Sequence, residues 1–176
     1  MIGSLHTQSI ADSTQYNNLV YSGGINANFK NIDLFILYGQ GKIKNIVQNQ
    51  ITGGLTIYPT KNQNLYLNSV LTYHKDNEVE NTIFYQKVGL RLGNKIWVET
   101  YGSFGDMKNV QEFDGFYLYN INDHLIRRIG LTGIFTLGQS TRLLIGYSSE
   151  NFEETSTRFP YKQHYIFTGL HILLKK

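Results

Sequence analysis

The chain has 176 residues, a formal charge of +3 and no cysteine. Without cysteine there are no disulfides, no thiolate catalysis and no cysteine-ligated metal. A charge excess this small, with Lys and Arg scattered rather than striped, argues against a nucleic-acid partner. Charged residues are 16% of the chain, below the roughly 25% usual for soluble domains.

Residues Met1-Ile2-Gly3-Ser4-Leu5-His6-Thr7-Gln8 lack the basic start, apolar run and cleavage site of a signal peptide. No run of about 18 apolar residues exists in the chain, so no transmembrane helix is expected. Residues 1–16 read as the remnant of a truncated first strand and its loop, within one domain spanning 1–176. An exported chain needs a leader. The expectation is therefore a removed leader or the C-terminal piece of a longer protein.

From there on the sequence alternates apolar and polar residues about nine times, in segments of roughly ten residues. Leu19 to Phe29 carries Leu19, Tyr21, Ile25, Ala27 and Phe29 on one face and Ser22, Gly24, Asn26 and Asn28 on the other. A turn at Lys30-Asn31 pairs Phe29 with Ile32, which keeps Ile32, Leu34, Ile36 and Tyr38 on the same apolar face. Val47 to Tyr58 and Leu65 to His74 form the next pair. Ile83 to Leu92 returns through Gly93-Asn94-Lys95 into Ile96 to Phe104, with Leu92 opposite Ile96. Ile129 to Leu137 turns at Gly138-Gln139-Ser140 into Thr141 to Tyr147, and His164 to Leu174 closes the chain with Ile166, Leu170, Ile172 and Leu174 as its apolar row.

Short turns at 30–31, 59–64, 93–95 and 138–140 alternate with longer links at 42–46, 75–81, 105–126 and 151–161. Outer-membrane barrels have this asymmetry, with short periplasmic turns and long outer loops. The polar rows are mostly Ser, Thr, Asn, Gln, Gly and Tyr, as in a narrow hydrated lumen, rather than the Lys, Glu and Asp of a solvent face. The fold expected is an all-β antiparallel up-and-down transmembrane β-barrel of about 10 strands, or the C-terminal part of a larger one. Tyr21, Tyr38, Tyr73 and Tyr147 should form an outer belt at one membrane boundary, with Phe29, Ile32, Ile57, Leu92, Leu137 and Leu174 near the other. A soluble lipocalin-like barrel holding a small apolar ligand is the alternative fold.

The segments Gly53-Gly54-Leu55-Thr56-Ile57-Tyr58-Pro59, Lys95-Ile96-Trp97-Val98-Glu99 and Gly102-Ser103-Phe104-Gly105-Asp106-Met107-Lys108-Asn109, followed by Gly115-Phe116-Tyr117-Leu118-Tyr119-Asn120, resemble the C-terminal barrel portion of poorly characterised Gram-negative outer-membrane proteins. The resemblance covers about residues 50–175. It implies a bacterial outer-membrane address, a bilayer and lipopolysaccharide as surroundings, and a preceding domain or partner chain.

Lys87, Arg91, Trp97, Glu99, Tyr101 and His74 are the candidate lumen residues. Glu99 with Lys87 or Arg91 reads first as an ion pair holding adjacent strands in register. Its reading as an acid–base pair lacks a nucleophile placed with a His and an Asp. His74 and His171 fall toward opposite strand ends, too far apart to share a site. The richest loop runs from Asp106 to Asp123 and offers Phe113, Phe116, Tyr117 and Tyr119 for binding, as an inward plug or an outer surface. The acidic groups Asp76, Glu78, Glu80 and Glu150, Glu153, Glu154 read as solvated loop charge rather than a calcium site. Gly39 and Gly41 lie on a strand with no helix after it, so they are no nucleotide motif. The functional expectation is a structural, anchoring or pore-forming barrel with no catalytic residues, metal or cofactor; a barrel enzyme acting on membrane lipid is the alternative.

Overall fold

The computed structural model describes residues 2–7, 16–43, 46–77, 80–111, 123–138 and 140–172, with backbone alone for 2–7, 16–18 and 43. The strands are β1 (Ile2–Thr7), β2 (Tyr16–Phe29), β3 (Ile32–Ile43), β4 (Ile46–Ile57), β5 (Leu65–Lys75), β6 (Glu80–Leu92), β7 (Ile96–Phe104), β8 (His124–Thr136), β9 (Thr141–Glu153) and β10 (Pro160–Ile172). Each pairs antiparallel with the next in a single up-and-down sheet, and the described residues contain no helix. Among the described residues no pairing joins β1 to β10, so the sheet is not closed on itself.

The tight hairpins joining β2 to β3, β6 to β7 and β8 to β9 take the registers that unite their apolar rows: Phe29 faces Ile32, Leu92 faces Ile96 and Phe135 faces Leu143. A slip of one residue would turn every side chain of a strand to the other face. The outcome is a sheet with the burial of a soluble protein reversed. Apolar Ile25 (73% exposed), Leu71 (55%) and Ile166 (81%) look outward, whereas Thr52 (0%) and His74 (1%) are sealed on the inner face. The rows Leu19/Tyr21/Ile25, Ile51/Leu55/Ile57, Phe84/Val88/Leu90 and Ile166/Leu170/Ile172 all lie on the outward side, with Leu55 and Val88 half-buried among their neighbours.

Glycines of the inner face make room for its aromatic rings. Gly54, Gly89, Gly130 and Gly146 each lie directly across from an aromatic residue on the next strand: Phe35, Tyr66, Tyr101 and Phe167. Each ring lies on its glycine, so that a Cβ on Gly54 would meet the Phe35 ring at 2.0 Å. The pairing lets inner-face rings lie flat in a concave space that four additional side chains would crowd.

Two readings of the sequence are corrected. The link at 42–46 is no loop: Ile43 pairs with Ile46 and Lys42 with Val47, leaving only 44–45 between the strands. The links at 75–81, 105–126 and 151–161 are also shorter than expected, since β5, β6, β8 and β9 extend past the apolar band into polar sequence. In β8 the alternation is further hidden by a register shift between Leu125 and Arg127. Phe113, Phe116, Tyr117, Tyr119, Glu78 and Leu174 lie outside the described residues.

Candidate functional site in the polar interior

At the long-link end, the chain leaves β7 and turns inward at Gly105. Its φ of +119° suits glycine, and a Cβ there would strike the Thr82 carbonyl oxygen at 2.5 Å. Gly105 and Met107 then donate their N–H groups to the carbonyls of Ile126 (3.0 Å) and Leu125 (2.9 Å), extending the ladder beside β8. Met107 and Val110 pack on Ile83, Leu125 and Phe152 in a small apolar core with Tyr161 at its edge. The Asp106 carboxylate accepts the Lys108 N–H at 3.0 Å through one oxygen and meets His124 Nδ1 through the other.

Gln111 carries the segment across the interior. Gln50 Nε2 on β4 donates to the Gln111 carbonyl at 2.6 Å, and Gln50 Oε1 accepts the Gln111 N–H at 3.0 Å. Gln111 Nε2 reaches Ser22 on β2 at 3.3 Å, and its Oε1 would lie 2.6 Å from a Cβ on Gly39 of β3. A segment rooted on β7 thus spans to β2, β3 and β4, which fixes the sheet as deeply concave. Thr52 and Thr72 share a 3.1 Å hydrogen bond beneath it, and His74 Nε2 faces Gln48 Oε1 at 3.5 Å.

Toward the short turns, Glu99 on β7 organises a second cluster. It accepts from Tyr66 (2.7 Å) and Trp97 Nε1 (3.0 Å), and Lys87 Nζ lies 3.7 Å away. The Tyr66 and Trp97 rings stack at 5.8 Å. Tyr101 joins a different group: it stacks on Tyr85 at 6.4 Å and covers Gly130. Arg91 stays apart near the turn, across from Trp97. Of the two cations expected beside Glu99, Lys87 takes the place.

The candidate residues therefore share the inner face without converging on one centre. His74 belongs to the long-link end, Lys87, Trp97 and Glu99 to the cluster below, and His171 pairs across from Arg142 at the short-turn end. Sequence reasoning passes over Gln50, Gln111 and His124 and names Asp106 only as the start of the richest loop. Glu150, expected to be solvated loop charge, instead lies in β9, mostly buried, and pairs with Arg128 at 3.0 Å. That pair had a signal, as both lie on inner rows of adjacent strands. Asp106–His124 is an oriented acid–base pair, but hydrolysis also needs a nucleophile held on the imidazole's second nitrogen. Among the described residues no such hydroxyl is hydrogen-bonded to His124, and no cluster of three or more His, Asp or Glu has metal-binding geometry. No family model matches the chain, and no curated protein is similar enough to suggest its role.

Proposed function

We propose that the chain is a transmembrane β-barrel of a bacterial outer membrane, serving as an anchor or occluded pore rather than as an enzyme. The observation that carries this reading is the reversal of burial: apolar side chains form the outer surface while glutamine, threonine and histidine are sealed inside. Water would leave that outer surface exposed over far more than the few hundred Å² a soluble monomer tolerates. A bilayer removes the cost. The strands of the hairpin pairs, nine to 14 residues long, suffice for tilted crossing, which takes about 9–11.

The outward tyrosines support the same orientation. Tyr38 donates to Asn49 (3.0 Å), Tyr73 to Glu80 (2.6 Å), Tyr147 shares a 2.8 Å bond with His164, and Tyr21 bonds Gln40. Each ring therefore sits on the apolar band with its hydroxyl tied to a polar residue on the neighbouring strand, the arrangement favoured at a membrane boundary. Segment 105–111 across the interior favours a closed state over an open, porin-like channel.

Refolding from urea into lipid vesicles tests the proposal. The expected result is β-sheet formation only with vesicles or detergent, with the strands protected from protease. A folded, monodisperse chain in plain buffer would overturn it and return the soluble barrel.

A further inference from the structure

Near the short turns, the inner face holds a recess of about 440 Å³ between β5 and β9, within the size range of small-ligand sites. Arg91, Lys95 and Arg142 line it, with Asn64, Asn94 and Trp97 among the neutral groups and no carboxylate in its lining. All three cations are exposed, and none has an ion-pair partner among the described residues. The nearest carboxylate in sequence, Glu99, already accepts from Tyr66 and Trp97 and faces Lys87. Asp33, the other acid on this half of the inner face, accepts the Tyr58 hydroxyl at 2.8 Å. The described acids Asp76, Glu80, Asp106, Asp123, Glu150, Glu153 and Glu154 all lie toward the opposite, long-link end.

We infer that this recess is a binding site for a small phosphate-bearing anion. Two guanidinium forks and one ammonium around a concave, carboxylate-free space match several oxygen acceptors on one multiply charged group. Charge of a single sign around one recess also raises the local concentration of anions there. Asn64 and Asn94 supply neutral amide donors, and the Trp97 indole gives the recess one apolar wall. The turn residues Gln63, Asn64, Asn94 and Lys95 form its rim, so the anion enters from the short-turn side. The site lies on one continuous stretch of sheet and needs neither ring closure nor an open channel.

Trp97 is the single tryptophan of the chain, so its emission reports on the recess directly. The experiment titrates sodium phosphate into the full chain in a phosphate-free maltoside detergent and follows Trp97 fluorescence, with sodium chloride at matched ionic strength as control. Iodide and caesium quenching are compared in parallel. The expected results are a saturable change with phosphate alone, quenching by iodide well above that by caesium, and affinity about tenfold weaker in Arg91→Gln and in Arg142→Gln. Lys108→Gln, outside the recess, should bind as the parent does. Repeating the titration in micelles doped with phosphatidylglycerol identifies the source: competition assigns a lipid headgroup, its absence a soluble phosphate compound. A non-saturable response, equal quenching by both ions, or binding unchanged in both arginine variants would overturn the site. Failure of vesicle insertion would instead overturn the membrane reading and leave this titration standing.

Discussion

Gln50 and Gln111 hold each other by two hydrogen bonds, the Gln50 side chain satisfying both the N–H (3.0 Å) and the C=O (2.6 Å) of Gln111. One side-chain amide thus plays the part of a neighbouring strand for a segment that crosses the interior. Both glutamines are buried, so neither backbone group has water to fall back on. The contact joins β4 to the β7–β8 connection and couples two distant parts of the sheet.

Gln50→Leu should therefore destabilise the fold by about 2–4 kcal/mol, as it strands two buried backbone groups. Gln50→Glu retains the acceptor for the Gln111 N–H but sets a carboxylate against a carbonyl, and should be equally poor. Urea denaturation measures the loss. Limited proteolysis checks its place, with cleavage between Gly105 and His124 rising before the strands themselves are cut.

Gly53 and Gly54 are neighbours in sequence with opposite fates. No heavy atom lies within 4 Å of a Cβ on Gly53, which points outward, whereas a Cβ on Gly54 would collide with the Phe35 ring at 2.0 Å. Gly53→Ala should leave stability within about 0.5 kcal/mol or raise it slightly. Gly54→Ala should cost about 1–3 kcal/mol, since the ring has to leave its seat in a confined interior. Equal denaturation midpoints for the two variants would contradict the seating of Phe35 on Gly54.

How much of this was readable beforehand divides along the direction of interaction. Period-two alternation and hairpin registers such as Phe29–Ile32 depend on near neighbours, and the apolar rows of β2 to β10 are legible from them. The Gln50–Gln111 contact depends on where a long link travels, and nothing local in residues 105–111 announces it. Gly39 held a clue. A glycine on an inner row, with no turn to explain it, marks a close approach, here by Gln111 Oε1. Strand ends were misread where β8 and β9 continue into polar sequence, because the apolar row stops before the hydrogen-bonded ladder does. Arg91 was read as a partner for Glu99, but its row ends beside the turn, where it faces the recess instead.

Glu99 is the acceptor that holds Trp97 and Tyr66 in place. Glu99→Leu should leave the Trp97 N–H without its acceptor and Lys87 without its counter-charge in a half-buried setting. The expected outcome is a shift of tryptophan emission, a weaker near-ultraviolet dichroic signal from the Tyr66–Trp97 stack and a lower melting temperature. Glu99→Gln keeps an acceptor oxygen for Tyr66 or Trp97 and should fall between the two. Emission and dichroism unchanged in Glu99→Leu would show that the stack is held by ring packing alone.

Leu71 decides between lipid and water as the solvent of the outer face. It is 55% exposed, pairs with Phe84 on β6 and Gly53 on β4, and the lateral row continues to Ile36 on β3, at mid-height on the apolar band. On a soluble protein, Leu71→Arg at so exposed a position would change stability by about 0.5 kcal/mol or less. At the midplane of a bilayer the same change costs about 2–4 kcal/mol. Thr60→Arg, in the exposed turn between β4 and β5, is the control; it gives up one exposed hydrogen bond to Asn62 and should cost about 1 kcal/mol or less in either solvent. Equilibrium refolding into lipid vesicles, with urea as denaturant, should therefore separate Leu71→Arg from Thr60→Arg by the larger amount. Two variants that fold with the same midpoint in vesicles would place the Leu71 row outside the hydrocarbon, and the apolar band would then have to be covered by protein.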